Sequence, residues 1–313
     1  MERVNWKGYM IVNLVDIVIV NWNTGDLLKN CLDSIIECKD KNIGSVIVVD
    51  NASSDDSLSK ITTDIDYLKI VKEKTNHGFG KACNIGAKLC LSEYILFLNP
   101  DTEINESSIR VAVEYMEKDS SSNIGICGIQ LIDHHGITAS CSRFPSPSRI
   151  FFNSIGLTKV IPRLGSPMRD FSHDYIKEVD QVMGAFFLIR SKLFNLCKGF
   201  DERFFVYYEE VDLSKRITQF GYISMFLPKS NAFHLGGGAS RNVKASRLFY
   251  SLRSKYLYAA KHFTYGGRFI VLLSMFILEP ISRIFFNILK INFKGILETS
   301  HAYLMLISWF IRK

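Results

Sequence analysis

None of the chain's seven cysteines (Cys31, Cys38, Cys83, Cys90, Cys127, Cys141, Cys197) forms a Cys-x-x-Cys pair. An odd, scattered set argues against a disulfide framework or a zinc ribbon and suits a reducing compartment. The Gly-x-x-x-x-Gly-Lys-[Ser/Thr] phosphate loop is missing, so ATP hydrolysis loses support. Gly78-Phe79-Gly80 opens a helical pattern after an apolar run. Cys83, however, stands where the nicotinamide fingerprint has its third glycine, and no acid follows at the ribose position. There is no internal repeat and no low-complexity tract. Over residues 1–15, which include Arg3 and Lys7, Asn13 and then Asp16 interrupt the apolar stretch, so no signal-peptide core is read and a cytoplasmic enzyme is expected. Acids are scarce in the last quarter: from Lys244 onward eleven Lys and Arg face only Glu279 and Glu298. That basic excess fits a nucleic acid, a membrane surface or an anionic substrate.

What is present fits a large globular core, with 47% hydrophobic residues in 313. Short apolar runs at Asp16–Val20, Val46–Val49, Leu68–Val71 and Tyr94–Leu98 read as buried strands. They alternate with helical patterns over 27–36, after Ser53/Ser54 and Asp55, and over Phe79–Leu91. This alternation predicts a doubly wound α/β sheet, which binds ligands at the carboxyl ends of its strands. Asn21, Asp50, Asn76 and Asp101 fall at or just after such ends. Further on, Ile124–Ile132 and Gly136–Arg143 read as a hairpin and Phe144–Asp174 as a long mobile loop. Val179–Arg190 reads as one strand-like run, and Glu210–Phe220 as a helix with Glu209 and Glu210 at its start.

Three constellations can carry chemistry. Asn99-Pro100-Asp101 places a carboxylate at a strand end, where a hard oxygen ligand suits Mg²⁺ or Mn²⁺ bridging two phosphates. An ordinary Asn-Pro-Asp turn has the same residues. Tyr207-Tyr208-Glu209-Glu210-Val211-Asp212 crowds acids beneath aromatics, which raises carboxylate pKa values as a general base requires. Acids capping a helix dipole give the same pattern. His234 enters the glycine loop Gly236–Gly238 as a metal ligand, a phosphate contact or a satisfied buried histidine.

The ordered series Val18-Ile19-Val20-Asn21-Trp22-Asn23, Val48-Val49-Asp50-Asn51-Ala52-Ser53, Asn76-His77-Gly78-Phe79-Gly80, Asn84-Ile85-Gly86, Leu98-Asn99-Pro100-Asp101, Gly199-Phe200-Asp201-Glu202 and Tyr208-Glu209-Glu210-Val211-Asp212 resembles glycosyltransferase family 2, specifically its bacterial rhamnosyltransferase-like branch, over about residues 16–240. The resemblance implies a GT-A fold and inverting transfer from a nucleotide-diphosphate sugar to a hydroxyl of a glycan or lipid-linked oligosaccharide, in cell-surface polysaccharide biosynthesis, with dTDP-rhamnose the best guess for the donor. It implies donor contacts from Asn21, Asp50, Asn76, Gly78, Asn84 and Asn99. Asp101 stands last in the family's metal motif, whose first acid is Asn99 here, and His234 matches a histidine near metal and diphosphate. Glu210 takes the place of the family's base, with Glu209 beside it. Lys81, Arg241 and Lys244 are candidates to assist the leaving group. The rivals are a nucleotidyltransferase-like enzyme, whose basic glycine-rich loop Asn21–Gly25 does not supply, and a non-catalytic sugar-nucleotide binder. Loss of Asp101 or of the Glu209/Glu210 pair would mark the binder.

The expected architecture is a GT-A catalytic domain over residues 1–242 and a basic, apolar helical tail over 243–313. In the tail, Phe269–Leu278 is interrupted by Glu279-Pro280 and Arg283, and a second run, Ala302–Ile311, ends at Arg312-Lys313. Neither run is expected to reach the length of about 20 residues that spans a bilayer. Helices lying at the inner face of an anionic membrane are expected, with no nucleic acid; packing on the catalytic domain or on a second subunit as a homo-oligomer is the alternative.

Overall fold

The computed structural model describes residues 14–61, 66–237 and 243–312. Val15–Asn21 (β1) is buried at every position. Its side chains alternate between two apolar layers: Ile17 and Ile19 face one, Val18 and Val20 the other. Asp26–Glu37 (α1) covers the first layer with Leu28, Cys31, Leu32 and Ile35, a three-and-four spacing. Ile43–Asp50 (β2) pairs parallel with β1, and Leu68–Lys72 (β3) pairs parallel with β2. Phe79–Ala87 (α2) covers the opposite face, and Tyr94–Leu98 (β4) pairs parallel with β1 on its other side.

Beyond β4 come Thr102–Ile104 (β5), Ser108–Met116 (α3), Ile124–Asp133 (β6), Gly136–Ile137 (β7), Cys141–Ser142 (β8) and Pro147–Ser154 (α4). They are followed by Lys177–Val179 (β9), Gln181–Val182 (β10), Phe186–Arg190 (β11), Ser191–Leu196 (α5), Glu209–Ile217 (α6) and Ile223–His234 (β12). The main sheet runs β3-β2-β1-β4-β11-β6-β12-β5 and becomes mixed where β11 inserts antiparallel between β4 and β6. The doubly wound half therefore carries a second half that folds around the carboxyl ends of β1 and β4.

Four local expectations are corrected. Among the described residues no helix forms over 53–61: Asn23 Oδ1 accepts from the backbone amides of Ser54 and Asp55, and Asn21 Nδ2 donates to Ser57 Oγ, so side chains satisfy this segment as turns. Helix α2 stops at Ala87, because Asp16 Oδ2 captures the amides of Leu91 and Ser92 at 2.6 and 2.9 Å and draws the chain toward β4. The stretch 144–174 is not featureless. Ser146 accepts from the Arg149 amide and Pro147 supplies the first helical position, so α4 forms there. The run Val179–Arg190 is three short strands with different partners: β9 on β12, β10 on β8 and β11 in the sheet centre.

The tail is helical: Lys244–His262 (α7), Tyr265–Leu273 (α8), Glu279–Leu289 (α9) and Phe293–Ile311 (α10). Here too one expectation is corrected. Glu279-Pro280 does not break the helix, because a π turn over Ser274–Leu278 precedes it, a wider turn of the kind found where a proline removes a backbone donor. Tyr265–Leu289 is thus one helical stretch of 25 residues, long and apolar enough by length and composition to cross a membrane. Glu279 is buried within it, paired with Lys255 of α7 at 2.6 Å.

Candidate active site

The carboxyl ends of the parallel strands hold a network of short polar side chains. Asn21, wholly buried at the end of β1, donates through Nδ2 to Asp50 Oδ1 at 2.8 Å and to the Ser53 and Ser57 hydroxyls. Its Oδ1 accepts from Thr24 Oγ1. The amide is fully engaged, so Asn21 orients Asp50 and the 50–57 turn. Asn51, absent from the sequence-derived candidates, donates to Asn76 Oδ1 at 3.0 Å and accepts from the His77 amide at 2.9 Å. Asn76 Oδ1 also accepts from the Gly78 amide. The Asp50-Asn51 dipeptide was visible in the sequence, but only the fold shows that Asn51 builds the 76–78 turn.

That turn meets a loop from far along the chain. The Phe79 amide donates to the Phe205 carbonyl at 2.6 Å. Gly78 has φ +83°, and a Cβ there would lie 2.2 Å from the Phe205 oxygen. Only glycine permits both the conformation and the approach. Asn84 closes the contact from α2: Nδ2 donates to the Phe200 carbonyl and to Glu202, and Oδ1 accepts from the Phe200 amide. Its amide is spent on the 199–202 loop. Lys81 stands at the rim, 3.8 Å from Glu202. Lys244 is exposed at the start of α7, and Arg241 lies outside the described residues.

Asn99 is tied to β11 by its amide, which donates to the Ala185 carbonyl at 3.1 Å. Asp101 and His234 come together at the sheet end, with Nε2 3.3 Å from Oδ1 and both side chains largely buried. The Leu235 amide donates to the Asp101 carbonyl, which holds the turn after β12 against the turn after β4. Among the described residues no group of three His, Cys, Asp or Glu converges on one point. A hard carboxylate and an imidazole in contact are nevertheless a fit pair of donors for one divalent cation, provided its remaining positions are filled by other oxygens.

The acid pair opens α6. Both residues before it, Tyr207 and Tyr208, hold left-handed backbone conformations (φ 69° and 72°), rare for aromatic residues. This turn sends the two acids to different places. Glu209 is buried and packs toward Gly80 of α2, whereas half-buried Glu210 packs on Gly184 just before β11. Gly184 adjoins Ala185, whose carbonyl accepts from the Asn99 backbone amide, so the segment on which Glu210 packs is tied to the start of the Asn99–Asp101 turn. Each acid has a buried Oε2 with no hydrogen-bond partner. Burial, and then the charge of Glu210, push the Glu209 carboxyl well above the usual range; burial pushes Glu210 up as well. A buried carboxylate oxygen without a partner and with a raised pKa marks a candidate functional group.

Residues 16–152 match the family model described as glycosyl transferase family 2. The low-salt glycan biosynthesis hexosyltransferase Agl10 of Haloferax volcanii is 30% identical over 206 residues, which are 64% of this chain and 61% of that protein's length. The N-acetylglucosaminyl-diphospho-decaprenol L-rhamnosyltransferase of Mycobacterium tuberculosis is 23% identical over 272 residues, 80% of this chain and 85% of that protein. The crystal structure of GalNAc-T7 with UDP, GalNAc and Mn²⁺ superposes with a TM-score of 0.56 at 17% identity, covering 79% of this chain and 51% of that one. The fold is GT-A, and the resemblance to the rhamnosyltransferase-like branch of family 2 holds.

Proposed function

We propose that this chain, whose residues 16–152 are those of glycosyl transferase family 2, moves a sugar from a nucleotide diphosphate to a hydroxyl of a glycan or lipid-linked acceptor, with inversion. The observation that carries the reading is the buried Oε2 of Glu210 that has no hydrogen-bond partner, on a side chain packed against Gly184, the neighbour of the residue that holds Asn99. Glu210 is the base. Half-buried Glu210 takes the proton of an acceptor hydroxyl as that oxygen bonds to the anomeric carbon and the bond to the diphosphate breaks. Glu209, buried beside it, is pushed further up by burial and by the charge of Glu210, which leaves Glu210 the more readily ionised of the two. Asp50, oriented by Asn21, meets the base or ribose of the donor, and Asn76 and Gly78 shape the wall beside it. Asn84 acts on that wall through the 199–202 loop, and Lys81, Arg241 and Lys244 remain candidates for the leaving group.

Asp101 and His234 would hold Mg²⁺ or Mn²⁺, which when bound neutralises charge on the departing diphosphate. Rhamnose as the transferred sugar is supported by the name of the mycobacterial relative, which also suggests a diphospholipid acceptor. We assign 1–242 to the catalytic unit and 243–313 to a tail whose α8–α10 rest on the inner face of the cell membrane. Outward-facing Phe269, Ile281, Phe285 and Phe293 among basic residues support that placement, and a homo-oligomer covering the same face is the alternative. The test is release of nucleotide from a panel of nucleotide sugars with Mg²⁺ or Mn²⁺. Release from one donor, accelerated by a membrane-lipid acceptor, is expected; no release from any donor with either metal would sink the transferase reading.

A further inference from the structure

Asp212 lies two residues past Glu210, wholly buried, and two cationic side chains and an imidazole reach it: Arg216 at 2.8 Å, Lys261 at 2.7 Å and His262 at 2.7 Å. Lys261 Nζ also contacts Asp201 Oδ2 at 2.8 Å. One ammonium of α7 therefore joins both ends of the loop 201–212, which carries the acid pair. Between those ends α7 grips the loop again. Ser254 Oγ donates to the Val206 carbonyl at 2.8 Å, and Tyr250 stacks on Phe205 with ring centres 4.3 Å apart. Tyr258 packs 5.4 Å from Tyr208. The gripped segment holds two consecutive left-handed tyrosines and then two adjacent acids, Glu209 buried and Glu210 half-buried, an arrangement that backbone strain and the burial of carboxyl groups both work to release. Helix α7 is itself braced from behind by the buried Lys255–Glu279 pair.

We infer that α7 is the element that positions the base, and that Lys261 and His262 are positioning residues for transfer, acting through Asp212 and Asp201. The inference rests on the assignment of Glu210 as the base. Without the ammonium a buried carboxylate, Asp212, and a partly buried one, Asp201, lose their shared partner, the loop relaxes, and Glu210 leaves the place from which it reaches the acceptor. Donor binding is left nearly intact, because Asp50 and Asn76 are held by β1, β2 and Asn51 rather than by α7.

The experiment uses the full chain. Lys261→Met keeps the apolar stem and removes the charge. The expected result is a fall in kcat of about 10²-fold, the scale of a misplaced catalytic group, with donor Kd within a few-fold of wild type and most of the rate restored in Lys261→Arg. In a Glu210→Gln background the same change should cost only a few-fold more, since no base is left to place. His262→Gln, a milder variant for use if Lys261→Met fails to fold, should show a smaller loss with the same pattern. Normal turnover in both variants, or an undiminished penalty on the Glu210→Gln background, would overturn the positioning role. Normal turnover in Glu210→Gln alone would instead remove the base assignment on which it rests.

Discussion

The two walls of the cleft are built in different ways. The wall proposed for the donor comes from strand ends that follow one another along the chain: Asn21 and Asp50 close β1 and β2, and Asn76 follows β3. Each is placed by the strand before it and by a hydrogen bond to its neighbour. The acceptor wall has no such local logic. Glu209 and Glu210 sit where the Phe205 carbonyl meets Phe79, Gly184 meets Glu210, and Lys261 meets Asp212. A polar network among strand ends is rigid because the sheet is. A pair of unsatisfied acids is held by long-range charge and aromatic contacts, so it is the less stable and the more reactive of the two walls.

The sharpest division between the walls is a matter of chemistry. Glu210→Gln keeps size and reach but cannot take a proton, so kcat should fall by about 10²–10⁴-fold while donor Kd barely moves. Glu209→Gln should cost much less. A large defect in Glu209→Gln with normal turnover in Glu210→Gln would exchange the two roles. Next in size is Asp101→Ala, which should lose about 10²-fold of metal-stimulated transfer, with circular dichroism unchanged. Turnover within a few-fold of wild type, still stimulated by metal, would remove Asp101 from the site.

The parallel strands beneath the proposed donor wall are legible in the sequence. The runs at β1, β2, β3 and β4 were readable because a buried parallel strand is a short, nearly continuous apolar segment, and the acids and amides stood directly after it. The acid pair was readable as a motif, but its surroundings were not. Nothing within a few residues of Asp212 announces Lys261 and His262, nearly 50 positions away, and the periodicity of α7 does not mark which of its polar residues turn inward. Asn84 shows the same limit: its motif is local, whereas the partners of its amide, Phe200 and Glu202, lie 116 and 118 positions further on. Ser146-Pro147 did signal α4 as a cap followed by a proline start, yet it was outweighed by the surrounding Ser and Pro.

The seam between the walls gives a prediction of intermediate size. At Gly78 a methyl group would press into the Phe205 carbonyl in a backbone conformation that alanine avoids. Gly78→Ala should therefore destabilise the protein by about 2–4 kcal/mol, through both strain and displacement of the loop. A melting temperature unchanged by that substitution would mean that the 76–78 turn and the 199–208 loop separate freely.

The smallest effect separates the walls by pH. Burial works against ionisation of Asp212, but His262, Arg216 and Lys261 outweigh it and hold the carboxyl below its usual range; Asp201 is likewise depressed, by Arg203 and Lys261 against burial. Depressed carboxylates contribute stability that is present above their unfolded value and is lost only as pH falls below it, so the clamp should hold down to about pH 4. Glu209 and Glu210 have the opposite sign. Their folded pKa values are raised, so stability is lost as pH rises from the usual glutamate value of 4.5 through the raised values. Activity runs the other way, because the base must be ionised, and kcat should therefore decline on acidification while the protein is still folded. Glu209→Gln removes one of the two opposed ionisations. It should raise the melting temperature at pH 7.5 by a few degrees, on the order of 2–4 °C per kcal/mol relieved, and that gain should vanish near pH 4.5, where wild-type Glu209 is already protonated. Melting curves of the two proteins across that range decide the point. An equal gain at both ends would assign the effect to packing, and a loss at neutral pH would show that the buried carboxylate has a partner after all.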